Sequence, residues 1–484
     1  MRPLALSLLL GATACTASTP VLPKMPDLSA PVPMRVTPDD DFRAHAPGLL
    51  GDTAFAGPPI TQFQLSNGIR VLLVERHDVP AVSLRVVSDR GADQGDSGIG
   101  HLWSRMVLRG STLRSSAEVR DAVEGLGGRF FAGLAFDSSQ VHVEVSSKLL
   151  LPAISLVGEL VTAPRFEAGA LFSARNRLSA ETQSSLATPS GQLDMTIAQT
   201  LYPKGHLYHW PWGAPENLPK IDPATVESFH RHAFSPWHVN IVVGGDTTTV
   251  QLRPALEQAF GALTGPPSGP QAPPPAPPDG PPESRFVLVD APGETQAQLA
   301  FVWGGPPAFF DGYVPFEVAQ HEILFALQQK LRREKQLTYG LADRTSLGRG
   351  ARPIVFRGAF ERARAGEAVS DALAVLTRAA TTPMDPVHFA EVKLGVDATV
   401  GGLERIDGLS SFLAHMFVYQ RPLDWFDVEH RLLAKTTAED VRDAAARCFS
   451  VERLRVFVVG NVAELRPQLE PLGKVLVRPR ITLP

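Results

Sequence analysis

His101 and Arg105 stand four residues apart in Gly98-Ile99-Gly100-His101-Leu102-Trp103-Ser104-Arg105-Met106-Val107. Side chains four apart on a helix lie one above the other. Ile99, Leu102, Trp103, Met106 and Val107 follow the stripe of one buried helix face, so His101, Ser104 and Arg105 share the opposite face. An imidazole there can bind a metal ion. Arg cannot, because it is always protonated and has no lone pair to give. Its cation repels a metal placed beside it, and a serine hydroxyl holds its proton too tightly to act as a base. The chain has two Cys, which excludes a disulfide framework or a Cys-rich zinc module. Cys448 falls in the apolar rhythm of a late helix and reads as a buried structural thiol. His206 and His209 flank Tyr208 in a loop and receive no metal role.

The elements that must hold these residues repeat. The His101 helix is expected to be capped by Asp96-Ser97 and to end at Gly110. Before it, Phe63 to Val74 carries Asn67-Gly68 between two apolar runs, a hairpin signal. Val82–Val87 and Gln298–Trp303 read as strands opening two halves. Near the end of the first half, Asp222-Pro223 opens a helix, followed by Phe234-Ser235 and the strand Val239–Gly244. Near the end of the second, the capping box from Thr437 to Asp440 opens a helix, followed by Phe449-Ser450 and the strand Leu454–Gly460. The order repeats at the same spacing. The fold class is therefore α+β, with two homologous domains, each a largely antiparallel sheet packed with helices, in a clamshell arrangement.

Length and composition set the limits. The chain has 484 residues, 44% hydrophobic, enough for a large core. Lys and Arg number 46 against 50 Asp and Glu, a net charge of −4, which argues against a nucleic-acid binder. Leu4–Leu10 and the small residues after it read as a signal peptide over 1–14. Cys15 follows Ala12-Thr13-Ala14 as in a bacterial lipoprotein box and is the expected lipidation site. Residues 15–58 are a Pro-rich tether. Residues 59–264 form the first domain, 265–284 a Pro-rich linker unable to form helix or sheet, and 285–484 the second domain.

Gly98 to Ser111 resembles the zinc helix of the pitrilysin/insulinase family, the inverted-motif zinc peptidases with H-x-x-E-H. In that family two His bind zinc from one helix face, and the Glu between them takes a proton from metal-bound water. The resemblance places a third ligand, a Glu, about 76 residues beyond the second His, and Glu181 lies at that distance from Arg105. It extends over about residues 60–484, including His206-Leu207-Tyr208 and Gly213. His101 keeps the first ligand position, but Ser104 stands at the Glu and Arg105 at the second His. The motif is degenerate: no catalytic residue and no metal site are expected in this chain. Arg105 is expected to pair with Glu181, its cation standing where zinc would be. Arg332 and Tyr339 match the family's Arg-x6-Tyr motif, which Arg333 does not. The resemblance implies that this pair binds substrate and stabilises an oxyanion.

One half-site is kept and the other is lost. The chain resembles the non-catalytic subunit of bacterial heterodimeric members, which supplies Arg and Tyr to a partner carrying H-x-x-E-H. The resemblance implies zinc in the partner and a peptide substrate enclosed between the subunits. Separately, lipidation at Cys15 followed by Thr16, with no Asp as an inner-membrane retention signal, leads to the expectation of attachment to the bacterial outer membrane from the periplasmic side. Two alternatives have other signatures. A peptide-binding or scaffolding lipoprotein would have no enzyme partner. An active peptidase with an atypical zinc site would need a base near His101, where none stands.

Overall fold

The structure, a computed structural model, describes residues 57–92, 98–206, 208–265, 269, 276, 282–346, 348–397 and 402–483. The expected signal peptide, Cys15, nearly all of the tether and most of the 265–284 linker lie outside the described residues, as do Asp96 and Ser97.

In the first half, β1 (Thr61–Gln64) and β2 (Arg70–Glu75) pair as the expected hairpin, with Gly68 supplying a φ of 88°. Next come β3 (Ala81–Ser88), α1 (Ile99–Met106), α2 (Ser116–Gly125), β4 (Arg129–Leu134) and β5 (Ser139–Ser146). Four helices follow: α3 (Leu150–Thr162), α4 (Ala168–Ala187), α5 (Pro189–Leu201) and α6 (Pro223–Ala233). The half closes with β6 (Val239–Gly245) and α7 (Thr249–Phe260). Its sheet runs β1-β2-β6-β3-β5-β4, antiparallel except where β2 meets β6.

The second half repeats the plan with β7 (Phe286–Asp290), β8 (Gln296–Gly304) and α8 (Tyr313–Leu327), which widens into a π-helical stretch over Gln328–Glu334. Then come β9 (Ala342–Asp343), β10 (Pro353–Glu361), α9 (Ala365–Thr381), α10 (Pro386–Asp397), α11 (Ile406–Val418) and α12 (Trp425–Lys435). The end is α13 (Ala438–Cys448), β11 (Arg455–Gly460), α14 (Val462–Leu469) and β12 (Val475–Arg478). The order is β12-β7-β11-β8-β10-β9. Here β7 is parallel to both β12 and β11, so this sheet is more mixed than the first. α6–β6–α7 and α13–β11–α14 are the same unit. Asp222 caps the first, and the Thr437–Asp440 box caps the second.

The central strands are apolar without alternation because both faces of each sheet are buried. In β2, Val71 and Leu73 enter the core beneath α1 and α3, whereas Leu72 and Val74 point the other way, onto Leu409, Leu413 and Met416 of α11. In β11, Val456 and Val458 face the second half's helices, whereas Phe457 and Val459 meet Leu193, Ile197 and Leu201 of α5. Each half thus covers the other's sheet with one helix, and residues 52–484 form one compact unit. A polar clamp adds to this. Arg352 donates to Asp137 (2.9 Å) and to the Tyr208 hydroxyl (2.9 and 3.1 Å), all three buried.

One boundary differs from expectation. α1 begins at Ile99 after Gly98, which sits at φ 73° and makes no side-chain cap, and it stops at Met106 rather than Gly110. The chain turns early because Arg109 bonds back to Met106, and Ser111 is pulled into a bridge with Pro164.

Candidate functional site

α1 is held from below. Trp103 is fully buried, and its Nε1 donates to His230 Nδ1 (2.9 Å), while His230 Nε2 donates to the Val161 carbonyl (2.7 Å). Phe229 and Phe234 pack around the indole. Burial pushes the His230 imidazole down to about 4, so it stays neutral. The start of α1 is fixed by two glycine backbones in contact. A Cβ on Gly213 would lie 2.4 Å from Gly98 Cα, and Gly213 itself has a φ of 88°.

His101, Ser104 and Arg105 share the outer face of α1, all half-buried. His101 Nε2 donates to the Pro211 carbonyl (2.6 Å). Burial, and secondarily the Arg105 cation, hold its pKa below the ordinary imidazole value. The nitrogen engaged with Pro211 carries a hydrogen and has no lone pair for a metal. Ser104 Oγ donates to the His101 carbonyl (3.0 Å). Arg105 donates to the same carbonyl through Nη1 (2.9 Å) and to Glu181 of α4 through Nη2. Glu181 also receives Arg177 Nε (2.8 Å). Arg177 first, and then Arg105, hold its carboxyl below the usual carboxylate range. His101, Arg105 and Glu181, which the family resemblance had set together, lie together here. The donor set does not fit zinc. One ligand position is a cation, the carboxylate is held by two guanidiniums, and the imidazole is turned to a backbone carbonyl.

The face opens on a cleft of about 800 Å³ between α1 and α4. Arg105, Arg109, Arg114, Arg165 and Arg177 all line it. Sequence reading singled out only the first. Arg109 and Arg177 were detectable as i, i+4 neighbours of Arg105 and Glu181. Arg114 and Arg165 reach the cleft only through the turn that ends α1 and the Ser111–Pro164 bridge.

Arg332 and Tyr339 lie in the second half, at the element that corresponds to α1. Arg332 falls in the π-helical stretch, where Lys335 N bonds Lys330 O. Gln336, at φ 54°, ends the helix, and Leu337 N bonds back to Leu331 O (2.8 Å). Thr338 Oγ1 donates to the Ala359 carbonyl (2.6 Å) and fixes the turn on β10. A Cβ added at Gly340 would lie 4.0 Å from Arg332 Cδ. Arg332 is exposed, and Tyr339 is 88% exposed. Among the described residues, neither side chain has a hydrogen-bond or ion-pair partner. Cys448 is buried, and His209 bonds the Tyr202 carbonyl (2.8 Å).

A family model described as Insulinase (Peptidase family M16) matches residues 70–209, and one described as Peptidase M16 inactive domain matches residues 220–396. The chain is 23% identical over 216 residues to a chloroplastic stromal processing peptidase of Oryza sativa subsp. indica, covering 42% of this chain and 17% of that protein. It is 22% identical over 101 residues to an uncharacterized zinc protease of Rickettsia bellii, covering 20% of this chain and 24% of that one. The chain thus spans less than a quarter of the length of these curated relatives. In solved structures, a peptidase M16 inactive domain from Pseudomonas fluorescens superposes with a TM-score of 0.76 at 20% identity, covering 83% of this chain and 98% of that one. The periplasmic protease PqqL from Escherichia coli gives a TM-score of 0.71 at 16% identity, covering 84% of this chain and 48% of PqqL. These structural likenesses concern the fold alone. With both halves of the duplicated fold present, and two M16 models covering most of it, the chain belongs to the M16, or insulinase, family of peptidases.

Proposed function

We propose that this chain is a non-catalytic subunit of a zinc metallopeptidase. A homologous partner carrying H-x-x-E-H contributes zinc and general base, and this chain contributes Arg332 and Tyr339 to hold the peptide carbonyl. The observation that carries the reading is a contrast between the two halves. The first half closes its ligand positions with the Arg105–Glu181 ion pair. The second half presents a guanidinium and a phenol to solvent with no hydrogen-bond or ion-pair partner among the described residues. A guanidinium and a phenol placed at a developing oxyanion stabilise the transition state more than the ground state. The chain acts in the periplasm, anchored to the outer membrane through Cys15. No helix among the described residues is long and apolar enough to cross a membrane. Cys15→Ser is expected to release the protein from the membrane fraction.

The test is reconstitution with the H-x-x-E-H homologue. Arg332→Ala and Tyr339→Phe should each lower turnover by about 100-fold, whereas Arg333→Ala and His101→Ala should change it little. Elemental analysis of this chain alone should find substoichiometric zinc. Activity abolished by His101→Ala while Arg332→Ala stays silent would make this chain the catalytic one. If chain and homologue stay inactive together, the peptide-binding or scaffolding reading takes over.

A further inference from the structure

We infer that the cleft between α1 and α4 is a binding site for the carboxylates of an acidic peptide. The inference uses residues distinct from Arg332 and Tyr339 and needs no partner subunit.

Charge carries it first. Five arginines line the cleft, and the carboxylates paired with them are Glu159, Glu167 and Glu181. Arg114 meets Glu159, and Arg165 meets Glu167 (3.1 Å). Arg105 and Arg177 share Glu181, so one carboxylate serves two guanidiniums. Among the described residues Arg109 has no carboxylate partner; its Nε donates to the Arg105 carbonyl (3.4 Å). The five arginines and their three carboxylate partners therefore carry two more positive than negative charges, in a chain whose net charge is −4. The excess is local.

Shape and chemistry name the ligand. At about 800 Å³ the cleft is far larger than one small anion needs and suits several residues of a peptide. The guanidinium fork matches a carboxylate with two parallel donors, whereas each cleft arginine paired within this chain meets its carboxylate through one nitrogen. A peptide carboxylate would bind Arg109 and compete for the unshared side of the Arg105–Arg177 pair. The substitution that removes a zinc ligand at position 105 thus also supplies a cation to an anion site.

The experiment uses the full chain alone and fluorescence anisotropy. The probes are a fluorescein-labelled Glu-rich peptide and its Gln isostere. The Glu peptide should bind about tenfold more tightly at low ionic strength, and the advantage should shrink as salt is added. Arg109→Glu, at an exposed position without a carboxylate partner, should abolish the preference, and Arg165→Gln should reduce it severalfold. Equal binding of the two peptides, or a preference untouched by both substitutions, would overturn the inference. Displacement by inorganic phosphate at concentrations where acetate does nothing would also overturn it, in favour of a phosphate site. Because no partner enters the assay, its failure leaves the proposed pairing standing.

Discussion

His230 accepts the Trp103 indole hydrogen at Nδ1 and donates at Nε2, so only the neutral ring can hold α1. Its pKa falls from 6.5 in the unfolded chain to about 4 in the folded one, through burial. As pH drops between those values, the unfolded chain takes the proton first, and stability is lost. The full effect is about 3 kcal/mol. Glu317 has the opposite sign. Burial, and then Glu429, push it up to about 7, so the folded chain takes the proton first and stability is gained as pH falls from there. Urea midpoints measured from pH 8 to pH 4 should therefore separate two variants. His230→Gln should lose less stability than the parent on acidification below pH 6.5. Glu317→Gln should gain on the parent most at pH 8 and keep little advantage by pH 5. Parallel curves for either variant and the parent would remove that residue from the account.

Among the elements, α1 is short, and its placement depends on backbone contact more than on capping. Gly98 and Gly213 touch, both in the left-handed region, and the Gly213 turn carries the Pro211 carbonyl that receives His101. Gly213→Ala combines backbone strain with a Cβ that has no room. It should destabilise by about 2 kcal/mol, and amide exchange in α1 should rise more than in α9. Uniform exchange across both helices would mean that the glycine contact does not position α1. The apolar spacing from Ile99 to Val107 identified this helix and its solvent face correctly. Its ends were harder to read, because the early stop comes from the Ser111–Pro164 bridge, a contact across 53 residues that no local signal announces.

For the whole molecule, the exchange of α5 and α11 makes the two halves stand or fall together. Leu409 and Leu193 are each fully buried against the other half's sheet. The Arg352–Asp137 pair crosses the same interface at 2.9 Å, with both side chains nearly inaccessible. Removing one member of a buried pair leaves an uncompensated charge, whereas removing both does not. Arg352→Ala should cost about 3 kcal/mol or more, and Arg352→Ala with Asp137→Ala should be less damaging than the two single effects added together. Thermal unfolding should remain one transition in every variant. Two separate transitions would show that the halves fold independently, despite the shared helices.

Residue type and local order determined much by themselves. The loss of the second zinc ligand is a statement about Arg105 alone, and the duplicated helix–strand units follow from Asp222, Thr437 and the apolar runs after them. The strands Val71–Val74 and Val456–Val459 could be recognised as buried on both faces, since neither alternates. What covers the second face could not, because a period of two assigns side chains to a face but does not name the helix that lies on it. Only the tertiary structure decided that α11 covers the first sheet and α5 the second. It also decided that Arg109, Arg114, Arg165 and Arg177 converge with Arg105 on one cleft. Those positions come from one helix, two turns and a second helix. Their charges add up in space through packing of α1 on α4, which is set by the cores beneath them and not by anything adjacent in the chain.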